Sequence, residues 1–337
     1  MALVARVLIL IVLGLIVALA AAWAGLAVWY KLPTPEIARA TAGGLVVLLG
    51  LATIIALFTR LRFRALILFA LVLAAVAVWW STIKPPAEAD WSPDVARQVS
   101  GTLNGDILTL TNVRDFEWDD SGKANERWTT RTYDLSKLRT LDLFMSYWSG
   151  PSIAHVILSF GFEGDEYLAW SIEVKRPLGG KFSPVADAFK STPLVIIAAD
   201  ERDVVRLRSN IRKEDVQIYR LRVGPAGARA LLLEYVEDAN SLSSNPQFYN
   251  SITTNCTTTV VKLMRAVGAT VPFDWRLIVN GYLPEYAYER GALDTNLPLA
   301  ELKAAAHIDE RAQAAGLSPD FSRLIRVGVP SPSLAAN

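Results

Sequence analysis

Cysteine, histidine and methionine are scarce: of 337 residues one is Cys, two are His and three are Met. One cysteine excludes an intramolecular disulfide and a cysteine-rich zinc site. With only His155 and His307, a histidine-built metal centre is not expected either, and neither is a cofactor. Charge of one sign is also lacking. Thirty-four Lys and Arg stand against 33 Asp and Glu, a net +1, so there is no field to gather a polyanion. No basic and aromatic stripe runs along the chain, and nucleic acid is not expected as a partner. No glycine-rich phosphate loop of the Walker or dinucleotide type occurs.

Long apolar runs are present, and all lie in residues 1–83. They cover about 7–29, 38–58 and 65–83, each near the roughly 20 residues that cross a bilayer. None holds a charge at its centre, so no ion pathway is implied. Arg60, Arg62 and Arg64 lie between the second and third runs, and Arg6 precedes the first. The positive-inside rule puts these in the cytoplasm, and three spans then export everything after Lys84. Trp79 and Trp80 suit the outer interface. A cleaved signal peptide is the competing reading of the first run, but the run is longer than a usual signal core and two more follow.

The expected organisation is a three-helix membrane region (1–83), a short stiff linker that opens with Lys84, Pro85 and Pro86 (84–93), a globular domain (94–290), and a C-terminal helix with a disordered tail (291–337). Within the globular part, residues 154–162 and 167–175 flank Glu163-Gly164-Asp165-Glu166 and predict a β-hairpin. Closing the turn on Phe162 and Tyr167 places His155 opposite Val174. A one-residue shift places it opposite Glu173, about 5 Å away on the same face. Residues 193–199 and 216–223 read as strands, and 225–236 as a helix. The cluster Asp200-Glu201-Arg202-Asp203 reads as a solvated turn or a structural ion pair. A helix over 299–315 carries His307, read as a surface or packing residue.

Cys256 lies in Asn255-Cys256-Thr257-Thr258-Thr259-Val260-Val261-Lys262-Leu263-Met264. Asn255 is a good N-cap, and Gly268 closes the apolar pattern that follows. A thiol in the first turn of a helix feels the positive macrodipole end, which lowers its pKa. A lone Cys can instead be a small buried hydrophobe. The polar flanks, Ser251, Thr253 and Thr254 before it and Thr257 to Thr259 after it, favour the nucleophile. Cys256, His155 and Glu173 then form a nucleophile, base and orienter, with Asn255 and Thr257 supporting the cap and an oxyanion site. Aromatic side chains near these motifs, above all Tyr249, Trp170 and Phe162, either line an acyl groove or fill the core.

The order histidine, carboxylate, cysteine helix is that of circularly permuted papain-like proteins, a group that includes NlpC-like enzymes and lecithin:retinol acyltransferase. The expected class is therefore α+β: a permuted papain-like domain with an antiparallel sheet and a Cys-bearing helix, preceded by three transmembrane helices. The motifs Tyr-Asp-Leu (133–135), Ala-His-Val-Ile-Leu-Ser-Phe-Gly-Phe (154–162), Tyr-Leu-Ala-Trp-Ser-Ile-Glu-Val-Lys-Arg (167–176), Ala-Asp-Glu-Arg-Asp-Val-Val (199–205) and Asn-Pro-Gln-Phe-Tyr-Asn-Ser-Ile-Thr-Thr-Asn-Cys-Thr-Thr (245–258) carry a narrower likeness. Together they resemble the Lnb-type N-terminal periplasmic domain family of Gram-negative bacteria, over residues 99–281. The resemblance implies a lipoprotein N-acyltransferase chemistry. A phospholipid would be the acyl donor, a lipoprotein's N-terminal cysteine amine the acceptor, Cys256 the acyl carrier, His155 the base and Glu173 its orienter. It also implies a multi-pass inner-membrane protein with a periplasmic catalytic domain. Here the membrane runs precede the domain. A cysteine peptidase or amidase acting on peptidoglycan would use the same three residues with water as acceptor. A non-enzymatic envelope protein would have no need of them.

Overall fold

The computed structural model describes residues 2–332. The chain divides into two compact units, Met1–Pro86 with Ser183–Thr192, and Ala87–Phe182 with Pro193–Asn337.

The first unit is built on three helices, α1 (Ala2–Lys31), α2 (Glu36–Ala56) and α3 (Arg62–Thr82). All three are long and apolar enough to cross a membrane. They run close to the ranges read from hydropathy, because a nearly unbroken apolar run has no polar face to mis-assign. α1 and α2 approach closely along small residues. A Cβ placed on Gly43 would lie 2.8 Å from the Gly25 carbonyl oxygen, so a side chain there would push the two backbones apart.

In the second unit the strands run β1 (Ser100–Asn104), β2 (Ile107–Arg114), β3 (Glu117–Trp118), β4 (Ala124–Asn125), β5 (Trp128–Asp134), β6 (Leu138–Tyr147), β7 (Ala154–Phe162) and β8 (Glu166–Val174). The short helix α4 (Pro184–Ala188), part of the first unit, interrupts the series. Then come β9 (Leu194–Ala199), α5 (Glu201–Arg206), a π-helical turn (Leu207–Ile211), β10 (Asp215–Arg220), α6 (Pro225–Ser244), α7 (Cys256–Ala266), α8 (Leu283–Glu289), α9 (Leu299–Ala306), α10 (Asp309–Ala315) and α11 (Phe321–Leu324). The class is mixed α+β. The main sheet has the order β1-β2-β9-β8-β7-β6-β10, with β5 on β2. It is antiparallel apart from the β2–β9 contact, where Arg114 meets Ala199.

Side-chain alternation along the strands makes two apolar layers. Val156, Leu158, Phe160, Leu168, Trp170 and Ile172 point to the face covered by α6 and α7. Ile157, Ala169, Val195 and Ile197 point to the other, covered by α5, α10 and α11. The acidic cluster at 200–203 belongs to this second layer. Asp200 caps α5, while Glu201 and Asp203 are buried. Asp203 takes Arg114 at 2.7 Å, and Glu201 takes Arg326. The structural ion pair is therefore what the cluster makes, and the solvated turn is not.

The C-terminal stretch departs from the expected single helix. The helix over 299–315 is broken at His307, whose φ of −59° and ψ of 126° are extended, because Ile308 pairs its N–H with the Val216 carbonyl at the sheet edge. Phe321 and Ile325 are buried in the second layer. The stretch after Arg290 thus packs inside the second unit; residues 333–337 of the expected tail lie outside the described residues.

Candidate active site

The hairpin of β7 and β8 sets the site. Its turn is three residues, Glu163-Gly164-Asp165, with Gly164 at φ +80° and Asp165 at φ +59°. Both adopt the left-handed conformation that Gly and Asp tolerate. Phe162 therefore pairs with Glu166 and Ile157 with Ser171. This is the register shifted by one residue, and continued it sets His155 across from Glu173. The ladder stops at Ile157 and Ser171, so β7 and β8 open apart beyond that point. The N–H of Val156, released at this opening, donates to the Cys256 sulfur.

Cys256 reaches the opening from α7, on the sheet face opposite the carboxylate. Asn255 caps α7: its side-chain oxygen accepts from the Thr257 N–H at 3.0 Å and the Thr258 N–H at 2.9 Å. The Thr258 hydroxyl accepts from the Asn255 N–H at 2.8 Å, completing a capping box. Thr257 takes part in the cap. Its N–H is committed to the cap, while its hydroxyl bonds the Cys256 sulfur. The Cys256 N–H has no partner among the described residues and is the donor left for an oxyanion.

His155 joins the two faces. Its Nε2 lies 2.7 Å from the Ser171 hydroxyl and 3.2 Å from Glu173 Oε1. Ser171 in turn donates to Glu173 Oε1 at 2.7 Å. With Nε2 so engaged, Nδ1 is the ring nitrogen left to interact with Cys256. Arg208, presented by the π-helical turn, bonds Glu173 Oε1 at 2.9 Å and approaches Glu214 at 3.3 Å. Ser146 also donates to Glu214. All of these groups are buried or nearly so.

The electrostatics follow from that geometry. Burial pushes the Cys256 thiol up, but the hydrogen bond and charge of His155, with the Val156 N–H and Thr257, carry it below its ordinary 9.0. Burial and Arg208 push His155 down, yet Glu173 and the Cys256 sulfur carry it above its ordinary 6.5. Burial raises Glu173, and the charges of His155 and Arg208 hold it well below 4.5. A lowered thiol beside a raised imidazole favours passage of the thiol proton to the ring, and the two groups titrate as a unit.

Asn280, Ser171 and Arg208 were not read from the sequence. Asn280 ties the two halves together. It donates to the Ala154 carbonyl and the Thr257 hydroxyl, both at 2.7 Å, and accepts from the Ala154 N–H at 3.0 Å. A residue before His155 and a residue after Cys256 are thus clamped by one amide. No motif spacing signals Asn280, which lies 24 residues beyond the cysteine.

Of the two readings of the aromatic residues, groove or core, the surroundings of Trp170 and Phe162 are those of core. Trp170 is in the core against Tyr235, ring centroids 5.3 Å apart, and Phe162 stacks on Tyr133 at 5.3 Å at the turn end of β7. Tyr249 is buried edge-on to Phe182. β7 and β8 are covered on both faces, so Phe162 and Trp170 are core whichever way they point. A cavity of about 410 Å³ is lined by Tyr147, Trp148, Asp215, Gln217, Tyr282 and Lys303, among others, and by none of Cys256, His155 and Glu173. Tyr147 pairs with Ala154, and its hydroxyl donates to the Gly281 carbonyl, next to Asn280.

His307 lies apart, on the β10 edge, with Nδ1 2.7 Å from Asp215 Oδ1. Asp215, His307 and Asp309 bring one ligand atom each within 4.8 Å of one another, the grouping among the described residues that could hold a cation. No ligand atom of the Cys256 site belongs to it.

The fold and site therefore define a mixed α+β domain holding a buried Cys–His–Glu set, in a chain with three helices fit to cross a membrane. Residues 124–281 match the family model of the Lnb N-terminal periplasmic domain, and that stretch, which holds His155, Glu173, Cys256 and Asn280, belongs to this family. No curated protein and no solved structure matches the chain.

Proposed function

We propose that the protein is a membrane-anchored thiol acyltransferase, taking a fatty acyl chain from a phospholipid onto Cys256 and passing it to an amine, that of a lipoprotein's N-terminal cysteine. The observation that carries this reading is that Cys256 and His155 are both buried and interact, with Glu173 3.2 Å behind the imidazole. The thiolate attacks the ester carbonyl, forming the C–S bond, and the Cys256 N–H holds the tetrahedral oxyanion. Collapse breaks the C–O bond, and His155 gives its proton to the departing lysophospholipid oxygen. The amine then attacks the thioester, His155 takes its proton, and the thiolate leaves.

Two further features support a lipid substrate. Ile252, in the loop before Cys256, and Phe273, Trp275 and Ile278, in the loop before Asn280, are large, apolar and exposed. The three apolar helices keep the domain at a membrane. On this reading the N-terminus and the Arg60–Arg64 loop are cytoplasmic, the second unit is periplasmic, and the fold is the permuted papain-like one. A cysteine peptidase or amidase of peptidoglycan is the second reading, favoured by the polar Asp215, Gln217 and Lys303 of the cavity that Gly281, next to Asn280, also lines.

The test is the intact mass of the protein purified from membranes, before and after hydroxylamine, for the wild type and Cys256→Ser. Acyl transfer is expected to leave a hydroxylamine-labile fatty-acyl mass on the wild type alone. Absence of any adduct with phospholipid supplied, also in His155→Ala, would discard it in favour of the hydrolase.

A further inference from the structure

The membrane unit holds a cation with no counter-charge. Arg39 lies one turn inside α2, half-buried, and its Nε is buried without a hydrogen-bond partner. Its guanidinium lies 5.4 Å from the centre of the Trp29 ring. Among the described residues no carboxylate pairs with it. Glu36, the acidic residue of the first turn, is exposed and does not reach it. The α2 N-terminus adds to the positive character, since Pro35 offers no side-chain cap to the free N–H groups of the first turn.

An apolar groove of about 330 Å³ leads away from Arg39 between α1 and α2. Gly25 and Leu26 line one wall, Gly43, Gly44 and Val47 the other. Eight residues separate Arg39 from Val47, about 12 Å along the helix, enough for the upper part of an acyl chain. A positive mouth over an apolar trough fits an amphiphile with an anionic head.

We propose that this groove binds one phospholipid, its phosphate on Arg39 and the α2 N-terminus and an acyl chain along Gly43, Gly44 and Val47. The site lies wholly within the membrane unit and does not rest on the acyl-transfer reading. The glycines divide the work. Gly25 and Gly43 set the helix approach, for a Cβ on either meets the other's carbonyl oxygen at 3.2 Å or closer. Gly44 has nothing within 4 Å of its would-be Cβ, so a side chain there enters the groove and leaves the helix contact intact.

The experiment uses the full chain in detergent, in a Cys256→Ser background so that no covalent acyl group enters the count. Delipidated protein is titrated with dioleoylphosphatidylglycerol, dioleoylphosphatidylethanolamine, dioleoylglycerol or inorganic phosphate, and bound species are counted by native mass spectrometry. One phospholipid is expected to be retained, of either headgroup, while the glyceride and free phosphate are not. Arg39→Ala and Gly44→Leu should each reduce retention at least about fivefold, and Arg39→Lys should restore part of it. Equal retention in all variants, or equal retention of dioleoylglycerol, would overturn the proposal. Should Arg39→Ala fail to fold by circular dichroism, Gly44→Leu decides alone. A missing thioester in the hydroxylamine test would leave this site standing, and equal lipid retention would leave the thioester standing.

Discussion

Both histidines of the chain touch a carboxylate, yet their surroundings give them different chemistry. His307 and Asp215 lie 2.7 Å apart at a strand edge, with side chains 47% and 45% exposed. His155 and Glu173 are 3.2 Å apart, with side chains 11% and 17% exposed. Distance alone would favour His307. The difference lies in what surrounds each pair. Water screens the outer one, whereas burial makes every charge near the inner one count. The inner pair also has a thiol on its free ring nitrogen and an arginine behind its carboxylate. A histidine–carboxylate contact becomes a base with an orienter only when it is desolvated and faces a nucleophile.

Substitutions can break this contrast, read as turnover or as the rate of thioester formation. Cys256→Ser removes the nucleophile and should cost about ten-thousand-fold. His155→Ala should cost on the order of a thousandfold, measured as single-turnover acylation, because the base and the acid of both steps are lost. Glu173→Gln keeps the shape and loses the charge, and about a hundredfold loss in the same assay is expected.

That last change also has a stability signature. Glu173 is held below its ordinary 4.5, so the stability it contributes is complete above that pH and fades as the pH falls through its folded-state value. Glu173→Gln should flatten the loss of thermal stability below about pH 4.5. His155 has the opposite sign. It is held above 6.5, so its contribution is complete below that pH and fades as the pH rises through its folded-state value.

Asn280→Ala tests positioning in place of chemistry. About a tenfold loss in kcat is expected, because the clamp on Ala154 and Thr257 goes while His155 and Glu173 remain. His307→Ala should change turnover less than about twofold, as a surface substitution away from the site. A loss comparable with His155→Ala would erase the contrast between the two histidines.

What could be read from the sequence was what local rules control. The cap at Asn255 is set within four residues, and the His155–Glu173 pairing within one hairpin, so both were in reach once the turn length was allowed to vary by one. Arg208 was out of reach. It arrives from the other face of the sheet, 35 positions after Glu173, in a π-helical turn that no side-chain pattern announces. Asn280 depends in the same way on a loop folding back over α7. The aromatic residues stayed open between groove and core because an aromatic side chain in a doubly covered sheet looks alike in sequence whether it lines a channel or fills a core. The tail helix failed at His307, where edge pairing with β10 overrides helix propensity.

His155 is what lowers the Cys256 thiol against the effect of burial. A single cysteine makes this directly measurable, since every alkylation event reports on one sulfur. The measurement is the rate of iodoacetamide labelling by intact mass across pH, for the wild type and His155→Ala. The account expects a wild-type midpoint below 9.0 that moves upward when the imidazole is removed, burial then acting unopposed by its main partner. A wild-type midpoint at or above 9.0, or one that His155→Ala leaves in place, would contradict it.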